Sequence, residues 1–377
     1  MEVKIGIDAR LLYYQRGGIA QYTRHLIHEL LQLDRVSESY FVLASRKDAD
    51  QAAHLVPGDP GARWVKLWTP PHHRFEQLAL PIELARLRLD LLHSPDFIPP
   101  FSGRFRRVIT VHDLNFLLYP EFLTAESRRY YNAQIKRAVA VADHILADSH
   151  ATRDDLVRLL GVPDEKISVV WLAAKAVYRR LPPDTVQEQL ARHRLTPGYV
   201  LFSGTLEPRK NLPGLLQAYH SLLARLPDIP PLLIAGRRGW LYDGIWAQVE
   251  RLELAKRVRF VENPEDEELA ALYNGAGVLV LPSFYEGFGL TVLEAMACGV
   301  PVIAANRASL PEIAGGAALL VEPEDTGALA EALEQVLTGP ALRARLIEAG
   351  QLQAARFSWT TTAQQTLAVY RQVLAGV

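Results

Sequence analysis

The chain has 377 residues, 49% of them hydrophobic and 22% charged, with a formal net charge of −1. That composition is ordinary for a soluble globular protein, and it lacks the basic excess of a nucleic-acid binder, so no nucleic-acid partner is expected. A single cysteine, Cys298, excludes an internal disulfide and fits a reducing compartment.

The length exceeds the ~250–300 residues at which single cores stop growing, so two domains are expected. The start, Met1-Glu-Val-Lys-Ile-Gly-Ile-Asp-Ala-Arg, has neither the basic head nor the apolar core of a signal peptide. No run reaches the ~18 apolar residues of a membrane span. The expected location is cytoplasmic, or at most peripheral at the inner membrane face.

Short runs rich in Val and Ile alternate with longer stretches of helical period, the mark of βα units and a parallel sheet. In the first half, strands are predicted at 3–8, 40–44, 64–67, 91–93, 108–112, 144–147 and 167–170. Helices are predicted at 18–33, 75–87, 126–141 and 150–160. The first strand leads into Gln15-Arg16-Gly17-Gly18, where paired glycines permit positive φ and close approach to a ligand. A plain flexible loop would read the same way. No Gly-x-Gly-x-x-Gly follows Asp8, so this is not the dinucleotide fingerprint.

Farther along, the strand ending in His112-Asp113-Leu114-Asn115 places a histidine at a carboxyl end, where α/β sheets gather ligands. Asp113 either orients that imidazole or caps the turn. Asp148-Ser149-His150 reads as a helix cap. Arg104, Arg106 and Arg107 cluster, and Arg86 and Arg88 share a helix with leucines. Such a basic, apolar surface is compatible with peripheral contact to anionic lipid; a solvated face is the simpler account.

Pro182 and Pro183 interrupt the pattern, and a short charged helix starts near Thr185. A second series follows, with strands at 199–203, 232–235, 258–261, 278–281, 302–304 and 318–321. Its helices fall at 212–226, 243–254, 267–274, 290–297, 326–337 and 342–356, with a last helix at 360–374. Within this series, the loop from Phe202-Ser-Gly204-Thr205 to Pro208-Arg209-Lys210-Asn211 puts two cations beside a helix N-terminus, suited to a diphosphate leaving group. Asn211 can cap that helix. A solvated basic pair next to a cap would look the same.

The densest segment is Pro282-Ser-Phe-Tyr-Glu286-Gly-Phe288-Gly289-Leu290-Thr-Val-Leu-Glu294-Ala-Met-Ala-Cys298-Gly-Val-Pro301. A buried strand stops at Pro282, so Glu286 lies on the strand-to-helix loop and Glu294 about one turn into the helix. Taken singly, Glu294 favours a helix N-terminus and Glu286 is a solvated loop acid. Together they can grip two parts of one ligand, next to free backbone N–H groups. Cys298, after an Ala-rich helix, reads as a small buried residue rather than a nucleophile.

This segment resembles the Glu-x7-Glu signature of retaining glycosyltransferases of family 4, which have the GT-B fold. The loop at Gly204, Leu206 and Lys210 is similar to that family's Gly-Arg-Leu-x-x-x-Lys-Gly stretch. Thr205 stands where the pattern has Arg, and Asn211 where it has its second Gly. The resemblance implies an α/β fold of two doubly wound Rossmann-like domains facing across a cleft. Residues 1–172 would form the acceptor-binding domain and 173–198 a linker. Residues 199–356 would form the nucleotide-sugar-binding domain, and 357–377 a helix crossing back to the first.

It also implies roles. Glu294 would hold the ribose hydroxyls. Lys210 and Arg209, with Gly204 and the backbone at Phe288, Gly289 and Leu290, would take the diphosphate. Glu286 and His112 would meet the transferred sugar, and Gly17 and Gly18 would lie over the sugar phosphate and acceptor. The implied reaction is retaining transfer of a hexose from a nucleotide sugar by front-face displacement, with no metal and no cofactor. The acceptor would be a glycan, a lipid-linked sugar or a small molecule. The Pro-Arg-Lys-Asn and Val-His-Asp-Leu-Asn segments are similar to those of bacterial mannosyltransferases, which favours GDP-mannose. A nucleotide-sugar epimerase of similar fold, or a GT-B module that binds without catalysis, would share these marks.

Overall fold

A computed structural model describes residues 2–14, 18–48, 61–122, 125–239 and 243–376. The chain divides into two compact units, Met1–Leu172 with Ser358–Val377, and Ala173–Phe357.

Among the described residues, the first unit holds a seven-stranded parallel sheet in the order β3-β2-β1-β4-β5-β6-β7. The strands are β1 (Val3–Asp8), β2 (Glu38–Ser45), β3 (Ala62–Leu67), β4 (Leu91–Ser94), β5 (Arg106–Val111), β6 (His144–Ala147) and β7 (Ile167–Val169). Their centres are apolar because helices cover both faces of such a sheet. Ile109, Val111 and Ile145 pack with Ile135 and Ala138 of the helix Ala125–Val141, and each such side chain contributes about 1.5–3 kcal/mol. The terminal helix Trp359–Ala375 belongs to this unit. Its Tyr370 is fully buried and its hydroxyl lies 2.6 Å from His93 Nδ1, while Thr362 Oγ1 donates to the Trp171 carbonyl at 2.6 Å.

The second unit holds a six-stranded parallel sheet in the order β10-β9-β8-β11-β12-β13. Its strands are β8 (Tyr199–Ser203), β9 (Leu232–Gly236), β10 (Val258–Glu262), β11 (Ala276–Leu281), β12 (Val302–Ala305) and β13 (Ala318–Val321). Residues 173–198, read from sequence as a linker, fall in this unit. They carry the helix Pro183–Arg192, whose Val186 and Leu190 are buried.

Both sheets are doubly wound: the strand order reverses between β1 and β4 in one, and between β8 and β11 in the other. At such a point adjacent strands send their following loops to opposite faces, which leaves a crevice at their carboxyl ends.

Candidate active site

In the second unit the reversal point brings the loops after β8 and β11 side by side. The Phe284 N–H donates to the Arg209 carbonyl at 2.8 Å, and Arg209 Nη1 to the Tyr285 carbonyl at 2.9 Å. The β8 loop leaves the strand at Gly204, with φ 144, and turns at Asn211, with φ 54. Asparagine tolerates this left-handed conformation, which is why it can stand where the family pattern has glycine. Asn211 also caps the helix Leu212–Arg225 as expected, accepting from Gly214 N–H at 3.2 Å.

These loops join Lys210 and Arg209, which the sequence assigns to the diphosphate, to Glu286, which it assigns to the sugar. Lys210 Nζ lies 2.6 Å from Glu286 Oε1, and Arg209 Nη1 lies 2.7 Å from Glu286 Oε2. Arg209 Nε reaches Glu207 Oε1 at 2.6 Å, and Ser283 Oγ donates to Glu286 Oε1 at 2.7 Å. A buried lysine and a half-buried arginine are thus matched by two buried carboxylates. Burial disfavours the Glu286 carboxylate, but Arg209 and Lys210 outweigh it and hold the pKa at about 2. Burial, helped by the Arg209 charge, pulls Lys210 below the ordinary lysine value.

Glycine and serine shape the surroundings. A Cβ on Gly204 would lie 3.6 Å from Lys210 Cε, and one on Gly236 would lie 1.8 Å from the Gly204 carbonyl oxygen. The loops after β8 and β9 therefore touch backbone to backbone. The buried Ser309 hydroxyl sits 2.8 and 2.7 Å from the carbonyl oxygens of Glu286 and Phe288 and pins the loop. Sequence reasoning missed Gly236, Ser283 and Ser309; only Gly236, at the carboxyl end of a strand, carried a signal. Gly289, with φ 109, opens the helix Leu290–Ala297, and Phe288 is buried with its ring edge-on to Phe357. The first N–H groups of a helix have no intrahelical acceptor, and this helix follows directly on the loop that carries Glu286.

Glu294 lies in that helix, partly exposed, and accepts from the Tyr273 hydroxyl at 3.0 Å. Burial raises its pKa to about 7, against the pull of Tyr273 and Lys175 and with the help of Asp266. Lys175 and Tyr178 both hold Asp266, at 2.8 and 3.0 Å. None of Tyr273, Lys175, Tyr178 and Asp266 stood out in the sequence. Cys298 is buried, and burial pushes its thiol up to about 12, so it is protonated and inert.

A carboxyl with a pKa of about 7 folded and 4.5 unfolded binds more protons in the native state between those values. Native stability therefore falls as pH rises through that window. Glu294→Gln is expected to melt higher than the parent at pH 8, by an advantage that grows by about 2 kcal/mol from pH 5. Thermal denaturation at both pH values checks this; an advantage independent of pH would mean that Glu294 does not titrate there.

In the first unit, His112 lies just past β5, and both of its ring nitrogens are engaged. Nδ1 is 2.6 Å from Asp148 Oδ2, and Nε2 is 2.8 Å from the Pro95 carbonyl. The Tyr22 ring packs edge-on against the imidazole at 4.9 Å. Burial disfavours the charged ring, but Asp148 outweighs it and His112 is raised above its ordinary value. Asp113 does not orient the ring; its Oδ1 accepts from Asn115 N–H at 3.1 Å and caps the turn. The reading of 148–150 as a cap holds for Ser149, which accepts from Thr152 N–H at 3.1 Å, whereas Asp148 is the histidine's partner. Gly17 lies outside the described residues. Gly18 begins the helix Gly18–Gln32 without the positive φ that the paired glycines suggested. No group of three or more His, Cys, Asp or Glu that could hold a metal ion occurs among the described residues.

A family model described as Glycosyltransferase Family 4 matches residues 16–174, and one described as Glycosyl transferases group 1 matches residues 186–353. The O-antigen chain mannosyltransferase B of Escherichia coli is 37% identical over 282 residues, covering 74% of each chain. The chain belongs to the family 4 glycosyltransferases of the GT-B fold. A D-inositol 3-phosphate glycosyltransferase of Corynebacterium urealyticum is 30% identical to this glycosyltransferase, over 95% of this chain and 91% of its own.

Solved structures share the fold at lower identity. Sucrose-phosphate synthase from Thermosynechococcus elongatus has a TM-score of 0.77 at 24% identity and covers 100% of both chains. Anabaena HepE, solved in complex with UDP and glucose, has a TM-score of 0.77 at 19% identity, covering 98% of this chain and 100% of its own.

Proposed function

We propose that this glycosyltransferase moves mannose from GDP-mannose onto a glycan or lipid-linked acceptor, with retention and without a metal ion. The observation that carries the reading is the Lys210–Glu286–Arg209 cluster, set at the reversal point of the second sheet against a helix N-terminus. The mannose preference is supported by the identity to a mannosyltransferase.

Glu294 accepts hydrogen bonds from the ribose hydroxyls. The diphosphate meets Lys210, Arg209 and the N–H groups of residues 288–290. Because the cations are already matched by Glu286 and Glu207, these backbone donors supply the remaining positive potential. Glu286, held ionised at the same point, faces the positive charge that develops at the anomeric carbon. His112 is assigned a sugar hydroxyl, through the Nε2–H that now goes to the Pro95 carbonyl.

The acceptor oxygen bonds to the anomeric carbon on the face from which the phosphate leaves. The electrons of the broken C–O bond go to the phosphate oxygen, and that oxygen takes the acceptor proton. Positive charge from the protein and the helix terminus does the work a divalent ion would otherwise do.

Thermal shifts with GDP, UDP and ADP test the donor, because a ligand that binds only the native state raises its melting temperature. GDP is expected to give the largest shift, and a larger shift with UDP would overturn GDP-mannose as donor. GDP release from GDP-mannose, measured with and without a mannosyl acceptor, should rise with acceptor. Release indifferent to acceptor would point instead to an epimerase or a binding module.

No helix of the described residues is long and apolar enough to cross a membrane. Peripheral contact at the cytoplasmic face is proposed for the first unit, where Trp68, Phe75, Leu78 and Ile82 are exposed. The guanidinium groups of Arg46 and Arg74 lie over the rings of Trp68 and Phe75, at 3.8 and 4.7 Å. Apolar side chains rimmed by cations suit an anionic lipid surface.

A further inference from the structure

Tyr273 lies in the last turn of the helix Asp266–Gly275, just before β11, and its side chain is fully buried. A buried phenol needs a hydrogen-bond partner, and packing alone does not choose which one. Two other buried tyrosines of this unit choose the backbone: Tyr199 donates to the Leu272 carbonyl at 2.6 Å and Tyr219 to the Pro230 carbonyl at 2.8 Å. Tyr273 instead donates to Glu294 Oε2 at 3.0 Å, across 21 residues of sequence and onto the helix Leu290–Ala297. Burial, reinforced by the Glu294 charge, holds the phenol well above its ordinary value, so it stays protonated and acts as a donor.

The other charged and titratable groups around Glu294 are engaged elsewhere. Lys175 Nζ reaches both oxygens of Asp266, at 2.9 and 2.8 Å, and the Tyr178 hydroxyl donates to the same carboxylate. Lys210 Nζ is held by Glu286. Asp266 itself disfavours the Glu294 carboxylate, and Cys298, which feels the Glu294 charge, is a protonated thiol. The Tyr178 ring packs edge-on against Tyr273 at 5.7 Å and fences the phenol in place. Among the described residues, the direct side-chain donor to Glu294 is therefore Tyr273.

A carboxylate offers about four lone-pair sites on its two oxygens. The Tyr273 hydroxyl occupies one site on Oε2 and leaves Oε1 and the second site of Oε2 for a vicinal diol. A glutamate held by its backbone alone turns about its side-chain bonds, and each unproductive rotamer it visits weakens the ligand.

We infer that Tyr273 is a positioning residue for nucleotide recognition: its hydroxyl fixes the Glu294 carboxylate in the orientation that accepts from both ribose hydroxyls. The inference rests on the reading of Glu294 as the ribose acceptor given above. The same hydrogen bond favours the ionised carboxyl, the form with all of its lone pairs free to accept. Removing the bond raises the pH below which that form is lost.

The test is calorimetric titration of the full-length enzyme and of Tyr273→Phe with GDP and with 2′-deoxy-GDP, at pH values from 6 to 8. The substitution keeps the ring and deletes one oxygen. The ratio of the two affinities isolates the ribose 2′-hydroxyl and cancels the titration of the phosphate. The parent is expected to prefer GDP about tenfold or more at pH 8, and to lose that preference as pH falls and Glu294 gains its proton. Tyr273→Phe should prefer GDP by about threefold or less at pH 8, and what preference remains should disappear at a higher pH than in the parent. A purely structural role would weaken both nucleotides alike and leave the ratio as it was. Replacing Tyr273 by 3-fluorotyrosine, whose hydroxyl is a stronger donor, should move the loss of preference to lower pH, so the matter is decided even if Tyr273→Phe fails to fold. An unchanged ratio in folded Tyr273→Phe, or a fluorotyrosine enzyme with the parent's pH profile, would overturn the inference while leaving Glu294 on the ribose. A parent that binds GDP and 2′-deoxy-GDP equally would contradict the ribose reading itself, so the two failures are distinguishable.

Discussion

Glu286→Ala is expected to cost about 3 kcal/mol of folding stability, because it leaves the buried Lys210 and the half-buried Arg209 without their shared carboxylate. Arg209 and Lys210 lie 2.7 and 2.6 Å from that carboxylate, and Lys210 is itself buried. Loss of activity in this variant alone would therefore say little about mechanism. Glu286→Gln keeps the shape and one acceptor oxygen and should retain more of the fold. It is nevertheless expected to lower kcat by about 10²–10³-fold, the usual effect of removing a preorganised electrostatic partner. Melting temperature, kcat and donor affinity measured on both variants separate the two effects. A folded Glu286→Gln enzyme with near-normal kcat would remove Glu286 from the developing charge at the anomeric carbon.

Acid should act at the same place. The Glu286 carboxyl is held at about 2 against 4.5 unfolded. Its contribution is thus fully present above pH 4.5 and is lost as pH falls from there toward 2.

Lys210→Ala is expected to reduce kcat by about 10²-fold or more while weakening donor binding much less. Negative charge on the phosphate grows as the glycosidic bond breaks, so an ammonium placed there stabilises the transition state more than the ground state. The substitution leaves Glu286 paired with Arg209, so the loop has a reason to stay in place. Steady-state kinetics with a saturating acceptor check this. A raised donor KM with an intact kcat would mean that Lys210 serves only binding.

Much of the fold is legible in the sequence, for a definite reason. β1, β6, β8 and β13, and the helices His150–Leu160 and Leu290–Ala297, have the expected bounds. In a parallel sheet covered on both faces, a strand is a continuous apolar run that stops where burial stops. Ends set by capping rather than burial were misplaced by a residue or two. Pro340 opens its helix at a position proline suits. Asp266 opens another, where the Glu265 N–H donates to Glu268 Oε2 at 3.3 Å.

The candidate site divides in the same way. Glu286, Glu294 and Lys210 can be read from short motifs, since loop and helix positions follow from local pattern. Their partners cannot. Lys210 and Glu286 are 76 residues apart and meet only because β8 and β11 are neighbours at a reversal point. Asp148 reaches His112 because β5 and β6 pair in register, Val111 opposite Ala147.

The central claim is that transfer proceeds on one face of the sugar, with Glu286 on the sugar side of the diphosphate site and no base opposite the leaving group. Proton NMR of the anomeric signal, recorded early in a reaction of α-linked GDP-mannose with a mannoside acceptor, tests it most directly. An α-linked product is expected. A β-linked product would mean attack from the opposite face and would contradict the front-face mechanism and the role given to Glu286.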